Sequence, residues 1–337
     1  MLFRVDSNRT LGLGHLSRCI QLANSLKRKK INSCFLIKKN NIAISYIKNS
    51  GYDFVIIPTN TNDIHEIKKI KRLKANSKID LIFIDLRKTK SQKYFKALKK
   101  IAKIVVIDNY ENASLNADLI IWSWSMLKEL KRKIPQNSYK KILVGPDYMI
   151  LGKIPTSRIE KKNSKTILIS MGGSDKYNLT LKLVRELKKS HLKVKFQIVI
   201  GKFFQDVKNI EKEIENDRRF SLEKKIDNLI PLMMNSKIGI FTFGITIYEA
   251  LFAGLPSIVL AHSLQNDIYA KLLAKNECVD YIGYYKKINF HNIPNKILNL
   301  IENGNKMNQM SKNGKKIVDG KGVSRIVNKL ERLIEMS

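Results

Sequence analysis

Apolar residues in this chain come in short unbroken runs, separated by polar stretches with helical spacing. The first run, Met1 to Val5, stops abruptly at polar residues. Gly12 and Gly14 follow, and then Leu16, Ile20, Leu22, Ala23 and Leu26 recur at helical spacing until Lys27 to Lys30 close the segment. The pattern predicts strand, glycine loop, helix. It continues with a strand over 33–37, a turn and then a strand within 51–58 that Pro58 ends, strands over 80–85, 104–109 and 117–122, and helices over 42–49, 63–76 and 92–103. The strands are continuously apolar and do not alternate, which predicts a parallel sheet covered on both faces. The stretch 143–148 breaks the rhythm. Gly152, Pro155 and a basic segment over 158–165 then mark a domain boundary.

The opening device returns after that boundary. A strand over 166–170 runs into Gly172-Gly173-Ser174-Asp175 and a helix over 178–190. Strands over 195–201, 238–241, 254–260 and 280–283 alternate with helices over 206–217, 229–235, 246–253 and 268–275. Helices fill much of the remainder. The expectation is an α/β chain of two Rossmann-like, doubly wound domains, 1–152 and 153–337, with a ligand in a central cleft beyond the carboxyl ends of the strands.

The candidate chemistry sits in the glycine turns. Glycine lets a backbone take positive φ and approach a ligand closely, and a helix start offers N–H groups to an anion such as diphosphate. His15 stands at such a start, framed by Arg4, Asp6 and Arg18. Gly172 and Gly173 suit a phosphate cradle, and Ser174 can donate or cap the next helix. Gly244 and Thr246 open another helix, and Glu249 lies one turn in, where a carboxylate can accept two ribose hydroxyls. Each of these also has a plain structural reading, as a turn, a cap or a partner for the helix dipole. Asp85 and Asp108 end strands and either face the cleft or cap the following helices. His262 follows a strand, and Trp122 and Trp124 read as packing. HExxH, GxSxG and Walker sequences are missing from the chain.

Composition narrows the class. The 337 residues carry 63 Lys and Arg against 29 Asp and Glu, a formal net charge of +34. The lysines are spread over helix faces, so the charge reads as compositional bias, with weak attraction to an anionic membrane surface as a side effect and no specific nucleic acid as partner. Three distant cysteines, Cys19, Cys34 and Cys278, give neither a disulfide framework nor a metal spacing. No signal peptide and no transmembrane run is read, so a cytoplasmic protein is expected; a monomer without cofactor is expected as well.

In order along the chain, Arg4-Val-Asp6 with Gly12-Leu-Gly-His-Leu-Ser-Arg-Cys19, Gly145 to Leu151, Ser170 to Asp175 with Asn178-Leu-Thr180, Gly244 to Pro256, and Val318 to Gly322 with Arg325 resemble one family. It is the UDP-2,4-diacetamido-2,4,6-trideoxy-β-L-altropyranose hydrolases of the pseudaminic acid pathway, together with the related spore-coat polysaccharide biosynthesis proteins. The second half also resembles the nucleotide-binding half of GT-B glycosyltransferases. The resemblance implies a GT-B fold, UDP held mainly by the second domain, His15 as catalytic residue and no metal requirement. The chain departs from the family at Asp85-Leu-Arg87, at Asp108-Asn109, at Ile245, and around Gln265-Asn266, where the family's Asn-Gln pair is shifted or replaced. These departures leave open both the sugar and whether water is the acceptor.

The expected activity is therefore hydrolysis of a UDP-linked deoxy amino sugar, with C–O cleavage and His15 as base. Amides near Gly12, Gly14, Gly172, Gly173 and Gly244 would meet the departing diphosphate, and Glu249 the ribose. The alternatives are a GT-B glycosyltransferase with a UDP-sugar donor, and a non-enzymatic basic module that binds RNA or an anionic surface. The latter requires a clustered basic face with exposed aromatics.

Overall fold

A computed structural model of the chain describes residues 1–8, 12–87, 90–108, 116–124, 141–155, 164–224 and 226–335. The basic segment expected over 158–165 falls mostly outside these residues, as do Arg9 to Leu11 and Asn109.

The chain forms two compact units. The first holds a seven-stranded parallel sheet. Its strands are β1 (Leu2–Val5), β2 (Cys34–Lys38), β3 (Asp53–Ile57), β4 (Leu81–Asp85), β5 (Lys103–Ile107), β6 (Leu119–Trp122) and β7 (Ile142–Val144). Their order is β3-β2-β1-β4-β5-β6-β7. The second unit holds six parallel strands, β8 (Thr166–Ser170), β9 (Lys195–Ile200), β10 (Phe220–Lys224), β11 (Ile238–Thr242), β12 (Ser257–Ala261) and β13 (Asp280–Tyr284). Their order is β10-β9-β8-β11-β12-β13. In each sheet the chain winds one way from the first strand and then the other. The winding reverses between β1 and β4, and again between β8 and β11. Ligands of open parallel sheets bind beyond the carboxyl ends of the strands at such a reversal.

Central strands are buried on both faces, which is why they read as unbroken apolar runs. Phe3, Phe35 and Phe83 lie side by side in the first core, with ring centroids 5.0 and 5.3 Å from Phe3. Two strands escape the sequence pattern, β7 and β10. Both are edges. The β10 run Phe-Ser-Leu-Glu-Lys has one face against the core and one outward, so it alternates. A third difference lies in the helix Leu264–Lys275, which starts four residues before its expected first turn. Ser263 caps it by accepting the Asn266 amide hydrogen at 3.2 Å.

A single boundary at 152 does not describe the division. The first unit comprises Met1–Ile150 and Gly320–Ser337, the second Leu151–Asp319. The reason is the apolar stripe of the last helix, Gly322–Glu335. Its Ile326, Val327 and Leu330 are buried in one core with Leu16, Leu22 and Phe3 of the first unit. A Cβ on Gly322 would fall on the Met149 backbone, and Arg325 Nη1 donates to the Asp147 carbonyl at 3.0 Å. Two motifs far apart in sequence, Gly145 to Leu151 and Val318 to Arg325, thus meet as a packing pair.

Candidate functional site

In the first unit the side chains gather at the carboxyl ends of β1, β4 and β5. His15 stands in the first turn of the helix Gly14–Arg28 with its side chain 25% exposed. Its Nδ1 lies 2.6 Å from Asp85 Oδ1, at the end of β4. A carboxylate only accepts, so the proton of this bond sits on Nδ1, and Nε2 is the nitrogen left to take a proton. Arg18, one turn further along the helix, donates from Nε and Nη2 to the two oxygens of Asp85, each at 2.6 Å, and from Nη1 to Asp108. Burial works against the charge on Asp85. Arg18 and His15 outweigh it and hold the carboxyl well below the usual carboxylate range. Among the described residues, Asp85 and Asp108 cap no helix; Asp85 holds His15 and Arg18, and Asp108 holds Arg18.

The same geometry corrects three expected ligand contacts. Arg18 is 4% exposed and each of its three guanidinium nitrogens donates to Asp85 or Asp108, which leaves it engaged inside the unit. Arg4 is wholly buried. Its Nε and Nη2 donate to Glu66 at 2.7 and 3.1 Å, and Nη1 and Nη2 donate to Asp6 at 2.6 and 2.9 Å. Tyr94 Oη adds a bond to Glu66 at 2.5 Å. Arg4 is thus the hub of an internal network. It holds Asp6, whose Oδ1 also accepts the Lys38 amide hydrogen at 3.0 Å. Gly12 takes φ 71°, as the glycine reading requires. Its amide, however, donates to the Asn8 carbonyl at 2.8 Å and is spent inside the loop. The helix start that follows remains suited to an anion: Leu13 gives it no side-chain cap, and Gly14 is exposed.

In the second unit the predicted residues gather beyond β8 and β11. Gly172 takes φ 90°, and a Cβ there would stand 3.5 Å from Thr242 Oγ1, at the end of β11. Gly173 is exposed in the same loop. A Cβ on Gly201 would strike the Gly173 backbone, so the turns after β8 and β9 touch main chain to main chain. Ser174 does not cap the following helix; Asp175 does. Its two oxygens accept the amide hydrogens of Leu179 and Thr180 at 2.9 and 2.7 Å.

Gly244 starts the helix Ile245–Ala253 without a side-chain cap, and nothing lies within 4 Å of where its Cβ would stand. Thr246 is half-buried in the first turn. Glu249 follows one turn on, and its Oε1 accepts the Gly152 amide hydrogen at 3.0 Å. Burial raises its carboxyl above the usual range, and the Gly152 amide offsets part of that. Gln265 is exposed. The Asn266 amide is used internally, donating to the Phe243 carbonyl at 3.0 Å and thereby bracing the turn before Gly244.

Sequence reasoning missed Glu66 as Arg4's partner and Asp85 as His15's. The signal was present. An arginine inside a buried strand requires a carboxylate, and an acid ending the strand beside β1 stands next to whatever follows β1. Among the described residues, no group of three or more His, Cys, Asp or Glu side chains is arranged to hold a metal ion. Among the same residues, no helix is long and apolar enough to cross a membrane.

Comparison with solved structures decides the architecture. MurG of Acinetobacter baumannii matches over 98% of this chain and 99% of its own, with a TM-score of 0.70 at 13% identity. The chain has the GT-B fold. A UDP co-structure of Staphylococcus aureus MnaA shares it, with a TM-score of 0.68 at 14% identity over 100% of this chain and 97% of that one. Residues 156–317 match the family model of glycosyl transferases group 1. An uncharacterised protein of Methanocaldococcus jannaschii is 32% identical over 84% of this chain. This GT-B chain spans 57% of that relative's length. The spore coat polysaccharide biosynthesis protein SpsG of Bacillus subtilis is 23% identical over 98% of this chain and 97% of its own. The group 1 match corrects the expectation of a UDP-sugar hydrolase of the pseudaminic acid pathway: the matching family is one of glycosyl transferases.

Proposed function

We propose that the chain is a GT-B glycosyltransferase that takes a UDP-sugar donor and a carbohydrate acceptor. The observation that carries this reading is the match of residues 156–317 to glycosyl transferases group 1, and the His15–Asp85 pair beyond β1 and β4 supports a base in the first unit. The second unit holds the nucleotide. Glu249 Oε2 accepts from the ribose, and the amides at the uncapped start by Gly244 meet the diphosphate. His15 Nε2 takes the proton of an acceptor hydroxyl as its oxygen bonds to the anomeric carbon. The bond from that carbon to the diphosphate oxygen breaks, and UDP leaves with the electron pair. Asp85 holds the imidazole in the right tautomer and stabilises it once protonated. Fixed amide dipoles then face the growing negative charge on the leaving group. The name of the SpsG relative supports a polysaccharide product. The RNA-binding alternative is disfavoured, because the exposed large hydrophobics among the described residues are aliphatic, Ile64, Leu264 and Ile268 foremost.

The test is product analysis by NMR after incubation with a panel of UDP-sugars and carbohydrate acceptors. UDP release that depends on the acceptor, with the sugar recovered as a glycoside, is expected. Free reducing sugar as the sole product would overturn the reading. His15→Asn is expected to slow transfer by about 10²–10⁴-fold.

A further inference from the structure

We propose that Asp108, acting through Arg18, is a positioning residue whose carboxylate does two things: it anchors the third nitrogen of the guanidinium, so that the other two lock Asp85 against His15, and it adds the negative charge that favours a proton on the imidazole. The inference rests on the reading of His15 as base and concerns what sets its strength.

The geometry is a chain of three links. Asp85 receives His15 Nδ1, Arg18 Nε and Arg18 Nη2, each at 2.6 Å, and Cys19 Sγ at 3.5 Å. Arg18 Nη2 also lies 3.1 Å from His15 Nδ1, because both converge on one oxygen of Asp85. A guanidinium held by a single carboxylate can swing about it. Here Nη1 is held by Asp108 Oδ2 as well, and the arginine is buried away from water.

Asp108 is placed there at a cost. It follows β5 with φ 56°, a left-handed conformation that few residues other than glycine, Asn and Asp adopt. Its amide holds that turn by donating to the Ile121 carbonyl at 2.9 Å. Its Oδ1 is buried with no hydrogen-bond partner among the described residues. An asparagine would supply the one acceptor that Arg18 uses and would suit the turn equally well. What the carboxylate adds is charge. With Asp85 and Asp108 ionised and Arg18 cationic, one net negative charge faces the imidazole, and protonation of His15 cancels it. Without the Asp108 charge the cluster is neutral before His15 takes a proton and positive after.

The charged and titratable groups joined to His15 are Asp85 from the end of β4, Arg18 and Cys19 from its own helix, and Asp108 through Arg18. Removing a negative charge from this set makes protonation of His15 harder. In Asp108→Asn the acidic limb of the kcat/KM profile is expected to move to lower pH by about one unit. The plateau should stay within about tenfold of the parent, the usual scale of a modest change in base strength. Asp108→Ala loses the anchor as well and should drop the plateau further.

The titration of the His15 imidazole, followed by NMR in the parent and in Asp108→Asn, reads the same shift without turnover. An unmoved imidazole titration in Asp108→Asn would overturn the proposal, whatever happens to the melting temperature. If His15→Asn kept full activity, the base reading would fall, and the imidazole titration would still decide the role of Asp108.

Discussion

Glu249 carries opposing demands on a single side chain. Its Oε1 accepts the Gly152 amide, and burial keeps its carboxyl above the usual range. An acid whose folded pKa is raised binds its proton more tightly when folded. Its contribution to stability therefore falls as pH rises from the unfolded value through the folded one, and the ionised form is a cost at neutral pH. Glu249→Gln keeps an acceptor for Gly152 and removes that cost. It is expected to leave the melting temperature at pH 7 unchanged or higher, and to weaken UDP binding by about tenfold to a hundredfold in calorimetry. Equal UDP affinity in the two proteins would remove Glu249 from the nucleotide site. Glu249 stands out in the sequence as a candidate because its glycine-opened helix is a local pattern. It hid the duties of Arg4 and Arg18, because their partners Glu66, Asp85 and Asp108 lie 62, 67 and 90 positions away. A basic residue beside a glycine loop reads as a ligand contact until burial shows that its donors are spent.

Among the elements, the glycine turns depend on how closely loops approach one another. Gly201 is required because the Gly173 main chain occupies the space of a side chain there. Gly201→Ala must push the β8 turn aside. We expect a loss of about 1–3 kcal/mol in denaturant unfolding, with weaker UDP binding in the same variant. If nucleotide affinity were untouched, the β8 turn would not be part of the nucleotide site. The central strands were legible because burial on both faces leaves only apolar residues. The edges β7 and β10 were not: β10 has one open face and carries polar residues that look like loop, and β7 is only the three residues Ile142–Val144, too short to stand out from the turn that follows it. The early start of the helix Leu264–Lys275 was masked by Leu264 and Ile268, which are 71% and 58% exposed and fit no inward stripe.

For the whole molecule, the repeated strand, glycine turn and helix gave away the two doubly wound units and, through the order of the motifs, the GT-B fold. The reaction was not legible in the same way. A nucleotide cradle and a positioned imidazole serve water and a sugar hydroxyl alike, and what distinguishes them is the acceptor, for which no local motif stands. The return of the last helix to the first unit also went unread, since its amphipathic pattern names no partner. Leu330→Ala is expected to destabilise the first unit by about 2–5 kcal/mol in chemical denaturation while UDP affinity stays near the parent value. A loss of UDP affinity matching the loss of stability would refute that separation. The topology also bears on synthesis. The ribosome makes β1 to β7 well before the stripe of Ile326, Val327 and Leu330 that packs into their core. At about 5–20 residues per second, the newborn half waits on the order of ten seconds with an oily groove uncovered, a natural target for chaperones.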